Sequence, residues 1–230
     1  MTLYGEQIGK KFEPDGSPRW YPGNTVIADV TAGSSGYVAM TRVREMALAS
    51  GIGDTLILLP EDSYHMTVLR GLNDQVRTDA FWPAALPKDA PMSAVDDYVS
   101  RAVARVPMPG PARMRFAGVR VDAADFRVLL APADEAQAQE LQRFRDLGAA
   151  SIGLFLPGHA EYGYHITLAY IRTIAQGDQA RRLEALLSDM EGFLLSQPPF
   201  ETSAPYMAYY NDMLAFSAQR ISRRERKWDP

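Results

Sequence analysis

One pattern occurs twice in this chain and limits what it can fold into. LILLPEDSYHMTVLRG at 56–71 and GLFLPGHAEYGYHITLAYI at 153–171 share an apolar run, a Leu-Pro stop, a polar loop and then Tyr-His-apolar-Thr-apolar. Alternation of this kind after a proline reads as a β-strand. Side chains alternate faces along a strand, so His65 and Thr67 share one face about 7 Å apart while Tyr64, Met66 and Val68 share the other. The same parity groups His165, Thr167 and Ala169 and sends Tyr164, Ile166, Leu168 and Tyr170 opposite, which makes Tyr64 and Tyr164 core residues. The chain contains only three histidines, and two of them stand in this pattern.

The segments around the two motifs also correspond. Strands are expected at Thr25–Thr31, Thr55–Leu59, Tyr64–Arg70 and Arg113–Val121, with helices from Ser34-Ser35 to about Ser50 and over Ser93–Val106. A proline-rich and aromatic excursion, Asp79–Pro91, precedes the second helix. The order then recurs: strand Phe126–Ala131, a helix from Asp134 to about Leu147, a short strand Ile152–Leu156, strand Tyr164–Arg172, helix Asp178–Gln197, and strands near Tyr206–Tyr210 and Met213–Ala218. Val26 precedes His65 by 39 positions and Arg127 precedes His165 by 38. An α+β domain spanning 1–230 is expected, two-lobed and internally duplicated, with lobe-forming halves at about 25–121 and 126–219. Residues 1–24, dense in proline and glycine, form an irregular lead-in, and 220–230 form a basic tail.

Composition narrows the chemistry. With 47% hydrophobic residues in 230, the chain can bury a substantial core, and a net charge of −4 excludes a non-specific nucleic-acid binder driven by charge alone. The absence of cysteine removes disulfides, thiol nucleophiles, iron–sulfur clusters and cysteine-based zinc sites. Residues 1–11 have no apolar signal region and no apolar run reaches membrane length, so a soluble, cytoplasmic protein without membrane association is expected. No obligatory protein partner is evident.

If the apolar strand faces pack on helices, the two His/Thr faces meet across a cleft, where two imidazoles and two hydroxyls surround a space suited to a phosphate. Two His-x-Thr motifs half a chain apart resemble the two-histidine (2H) phosphoesterase superfamily, which includes the LigT-like RNA 2′,3′-cyclic phosphodiesterases and 2′–5′ RNA ligases. The resemblance covers roughly residues 25–219; the lead-in and the tail fall outside it and are most similar to a little-characterised bacterial branch. It implies antiparallel sheets around a central cleft with helices outside, and a metal-independent phosphodiesterase acting without a cofactor. His65 and His165 become general acid and base in an order the sequence does not assign, and Thr67 and Thr167 bind the non-bridging phosphate oxygens. The implied substrate is a 2′,3′-cyclic phosphate on an RNA end or nucleotide. Related alternatives are cyclic di- or oligonucleotides and 2′–5′ linkages, including ligase-type activity; a non-catalytic nucleotide- or RNA-binding module is the alternative of another class.

Other residues carry weaker signals. His159, Glu161 and His165 have metal-like spacing but lack the cysteine partners of a zinc deaminase. Glu61-Asp62 and Asp96-Asp97 read as solvated charges before they read as Mg²⁺ ligands. Tyr162 is placed to stack on a base or to pack. Arg113 and Arg115, on one strand face, could meet a second phosphate or simply face water. Trp20, Tyr206, Tyr209 and Tyr210 line the cleft or fill the fold, and the tail from Arg220 to Lys227 holds RNA or is solvated.

Overall fold

The computed structural model describes residues 2–220. In chain order the elements are β1 (Gly23–Asp29), α1 (Ser35–Ala49), β2 (Leu56–Leu58), β3 (His65–Asn73), α2 (Met92–Val103), β4 (Arg113–Val121), β5 (Asp125–Pro132), α3 (Glu135–Ile152), β6 (His165–Ile171), α4 (Asp178–Leu195), β7 (Phe200–Glu201) and β8 (Tyr206–Tyr210). Local chemistry sets several boundaries. The Ser34 hydroxyl accepts from the Tyr37 amide and the Asp134 carboxylate from the Gln137 amide, capping α1 and α3. Gly153, at φ +76°, ends α3 in the left-handed region. No helix among the described residues is long and apolar enough to cross a membrane.

The strands form two antiparallel sheets, ordered β3-β1-β8 and β2-β6-β5-β4-β7. The sheets do not coincide with the halves 25–121 and 126–219. From the first half, β2 pairs with β6 and β4 with β5, whereas β8 of the second half pairs with β1. The β1–β8 and β2–β6 pairings between distant segments and the β4–β5 hairpin tie the lobes together, and the inner faces of both sheets share one continuous apolar core. On the outside, α2 packs on α3 and the three-stranded sheet, and α4 packs on β4 and α1. The approach of α1 to the sheet depends on Gly36, where a Cβ would lie 2.4 Å from the Phe200 ring.

The duplication extends to individual residue pairs. β1 aligns Asp29 with His65, Ala28 with Met66, Ile27 with Thr67, Val26 with Leu69 and Thr25 with Arg70. Adding 100 to each number gives the β5–β6 register: Leu129 with His165, Val128 with Ile166, Arg127 with Thr167, Phe126 with Ala169 and Asp125 with Tyr170. Both ladders therefore carry a one-residue bulge at the same place, at Val68 and at Leu168. A bulge reverses the alternation beyond it. Two consecutive residues in each strand, Val68-Leu69 and Leu168-Ala169, are consequently buried. Tyr170 is thereby carried to the face bearing His165, not the opposite face that unbroken alternation predicts, and Ala169 leaves that face.

Two other expectations are corrected. Ile152–Leu156 forms no strand: Ile152 is buried as the last residue of α3, and the Leu154 amide turns back to the Ala149 carbonyl at 3.0 Å. Strand β3 thus lacks the neighbour that β2 gives β6. Met213–Ala218 is irregular, joined to β8 by a single bridge between Tyr209 and Ser217, because Phe216 and Met213 turn inward to pack. The lead-in, which has no helix or extended strand of its own, is anchored to the fold: Phe12 is fully buried against Tyr170 at 5.0 Å between ring centroids, and the Gly5 amide bonds to the Arg172 carbonyl.

Candidate active site

The first residues of β3 and β6 are the two histidines, and they are held alike. Nδ1 of His65 lies 2.7 Å from the Ser63 carbonyl and Nδ1 of His165 lies 3.0 Å from the Gly163 carbonyl, each two residues upstream. A carbonyl can only accept, so both imidazoles carry their proton on Nδ1 when neutral and leave the Nε2 lone pair available. Neither Nε2 has a protein partner among the described residues. Tyr64 and Tyr164, on the opposite face, are 2% and 8% exposed, which fixes the two strands against the core.

The two rings sense each other electrostatically. Burial, first, and then the charge of His165 push His65 down to about 4, against the opposing pull of the Ser63 carbonyl. Burial also lowers His165; the Arg127 and Arg70 charges add to this, and the Gly163 carbonyl and the Asp125 charge oppose it. Burial thus favours the neutral form of both imidazoles. An anion brought between them reverses that preference, because a nearby negative charge stabilises imidazolium.

Thr67 and Thr167 are half-buried on the same strand faces as the histidines. Tyr162 stands beside the Thr67 side chain, 6.3 Å from the His165 ring and 4.1 Å from the Arg145 guanidinium on which it stacks. It packs and borders the cleft at once. Arg145, 2% exposed on α3, donates Nη1–H to the Val68 carbonyl at the first bulge and Nη2–H to the His159 carbonyl in the loop before β6. One buried guanidinium therefore connects the two motifs.

Several cleft residues were not legible as such. Phe216 sits 4.2 Å from the His65 ring. Arg127 lies opposite Thr167 in the ladder and pairs with Asp125. Arg70 comes to the cleft face through the Val68 bulge, and Lys11 of the lead-in places its ammonium 3.3 Å from the Tyr170 hydroxyl. The signal for Arg70 and Tyr170 is the doubled apolar residue that interrupts each alternation; Lys11 and Phe216 carry no periodic signal.

The remaining residues go elsewhere. His159 meets Asp146 at 2.8 Å, and Glu61 accepts from the Tyr37 hydroxyl. Arg113 and Arg115 are exposed on β4, Trp20 is exposed, and Tyr206 bonds to Asp29. Asp96 is buried with Asn24 and Arg220, while Asp97 pairs with Arg101 at the surface. Arg220 is therefore spoken for, and 221–230 lie outside the described residues.

Two comparisons bear on this arrangement. A crystal structure of the conserved protein of unknown function ATU0111 from Agrobacterium tumefaciens str. C58 matches with a TM-score of 0.83 and 28% identity, over 94% of this chain and 92% of that one. No curated protein matches the chain. The family described as 2H-phosphodiest, domain of unknown function (DUF1868), matches residues 11–125, half of the sequence and inclusive of the first His-x-Thr motif. The chain belongs to this 2H phosphodiesterase family.

Proposed function

We propose that the protein hydrolyses a 2′,3′-cyclic phosphate on an RNA end or nucleotide by general acid–base catalysis between His65 and His165, without a metal. The observation that carries this reading is the equivalence of the two imidazoles: each is locked by a carbonyl on Nδ1 and presents Nε2 from the start of its strand. One Nε2 takes a proton from water as its oxygen bonds to phosphorus. The other gives a proton to the ribose oxygen as its bond to phosphorus breaks, so the proton count is conserved. His65, the more strongly desolvated ring, is the base; His165 is the acid. Thr67 and Thr167 donate to the non-bridging oxygens as negative charge builds.

Two expected results test this assignment. Because both unliganded imidazoles titrate below the ordinary 6.5 and one must be protonated, the kcat/KM profile for a nucleoside 2′,3′-cyclic monophosphate peaks on the acid side of pH 6.5. The kcat profile peaks higher, since the bound phosphate stabilises imidazolium. A kcat/KM optimum above pH 7.5 contradicts the assignment. Thr67→Val and Thr167→Val, which keep the branched shape and remove the hydroxyl, each lower kcat by about 10²-fold with little change in KM; steady-state kinetics that show a KM effect alone would assign these residues to ground-state binding.

A further inference from the structure

Farther along the two strand faces that bear the histidines lies a cluster that the reaction at one phosphorus does not use. Lys11 extends from the lead-in to the Tyr170 hydroxyl at 3.3 Å, with its ammonium 4.8 Å from the Tyr170 ring centroid and 5.5 Å from that of Tyr21. Its neighbour Phe12 is fully buried, so the backbone that delivers Lys11 is fixed. Tyr170 lies three residues past Thr167 on β6, about 10 Å along an extended strand and less through the bulge. Arg70 occupies the equivalent position on β3. Neither Lys11 nor Arg70 forms an ion pair among the described residues, whereas Arg127 is answered by Asp125 and Asp122.

A half-buried ammonium set against tyrosine rings, with no ion pair among the described residues, gains from taking up an anion. We propose that this end of the cleft is a second anion subsite, in which Lys11, assisted by Arg70, binds a phosphoryl group of the substrate other than the one being cleaved. The substrate class is then a phosphodiester bearing a further phosphate about one nucleoside away, such as a cyclic-phosphate nucleotide phosphorylated at its 5′ end. Tyr21 and Tyr170 flank the ammonium, and Tyr210 lies close to both rings. The lowered Lys11, pushed down to about 8 chiefly by burial and further by Arg70 and Arg127 against the pull of Asp125, is consistent with a cation awaiting an anion. This inference rests on the phosphodiesterase reading only for the identity of the first site.

Isothermal titration of the full chain with nucleoside 2′-monophosphates and the matching 2′,5′-bisphosphates, across four bases, tests it without requiring turnover. The wild type is expected to bind the bisphosphate of at least one base ten-fold or more tighter than its monophosphate. Lys11→Met reduces that ratio to about two or less; Lys11→Arg and Lys10→Met, which removes an exposed neighbouring charge, preserve it. A wild-type ratio near one for every base, or a ratio lost equally in Lys10→Met, overturns the subsite. A preference abolished by Lys11→Met in a protein that hydrolyses no cyclic phosphate upholds the subsite and defeats the proposed reaction; turnover without a preference does the reverse.

Discussion

Replacing His65 or His165 by alanine is expected to lower turnover of a cyclic phosphate by about 10²–10⁴-fold, and replacing both to be little worse than replacing one. Attack and departure occur on opposite sides of phosphorus, so a single remaining imidazole leaves one proton transfer unassisted and the step still fails. The two rings also act electrostatically as a pair, since charge on His165 disfavours charge on His65. The roles separate with leaving-group chemistry. A diester that expels 4-nitrophenolate needs little help from an acid, so His165→Ala recovers most of its lost rate on it, whereas His65→Ala does not. Equal recovery by both variants would mean that His65 is not the base.

Arg145→Leu carries the largest expected effect on stability. The substitution leaves the Val68 carbonyl without its donor at the β3 bulge and the His159 carbonyl without one in the loop before β6. A buried carbonyl left unpaired costs about 1–3 kcal/mol, and loss of the stack on Tyr162 adds about 1 kcal/mol. Relief of a desolvated cation offsets part of this, leaving a net destabilisation of about 2–4 kcal/mol and a fall in Tm of roughly 5–15 °C for a chain of this size. The surviving folded fraction loses activity as well, because the same guanidinium fixes the bulge of the first His-x-Thr strand and the loop that leads into the second. Urea unfolding monitored by far-UV circular dichroism measures the stability term; a change within 0.5 kcal/mol would show that Arg145 merely fills space.

What was legible in the sequence was local or periodic. Ser34 and Asp134 announce their helices by capping chemistry, and the burial of Tyr64, Met66, Tyr164 and Ile166 follows from alternation alone. The repeated Tyr-His-apolar-Thr segment identified both histidines and both threonines as candidates, and the structure sets them on equivalent strands. Alternation failed at Val68 and Leu168, because an extra apolar residue looks like continued core while it reverses every side chain that follows. Ile152–Leu156 was ambiguous for a different reason: a short apolar run fits a helix end as well as a strand, and only the Gly153 cap decides. Strand exchange between the halves, and the delivery of Lys11 and Phe216 into the cleft, depend on contacts between distant segments that no local pattern encodes.

In the proposed reaction two histidines transfer protons at one phosphorus with no metal taking part. Its most direct measurement is hydrolysis of the four nucleoside 2′,3′-cyclic monophosphates and of a short RNA ending in a cyclic phosphate, in excess EDTA, by the wild type and by His65→Ala and His165→Ala. Turnover that survives EDTA and is lost in both variants is the predicted result. Turnover abolished by EDTA, or retained at wild-type rate by either variant, would contradict it.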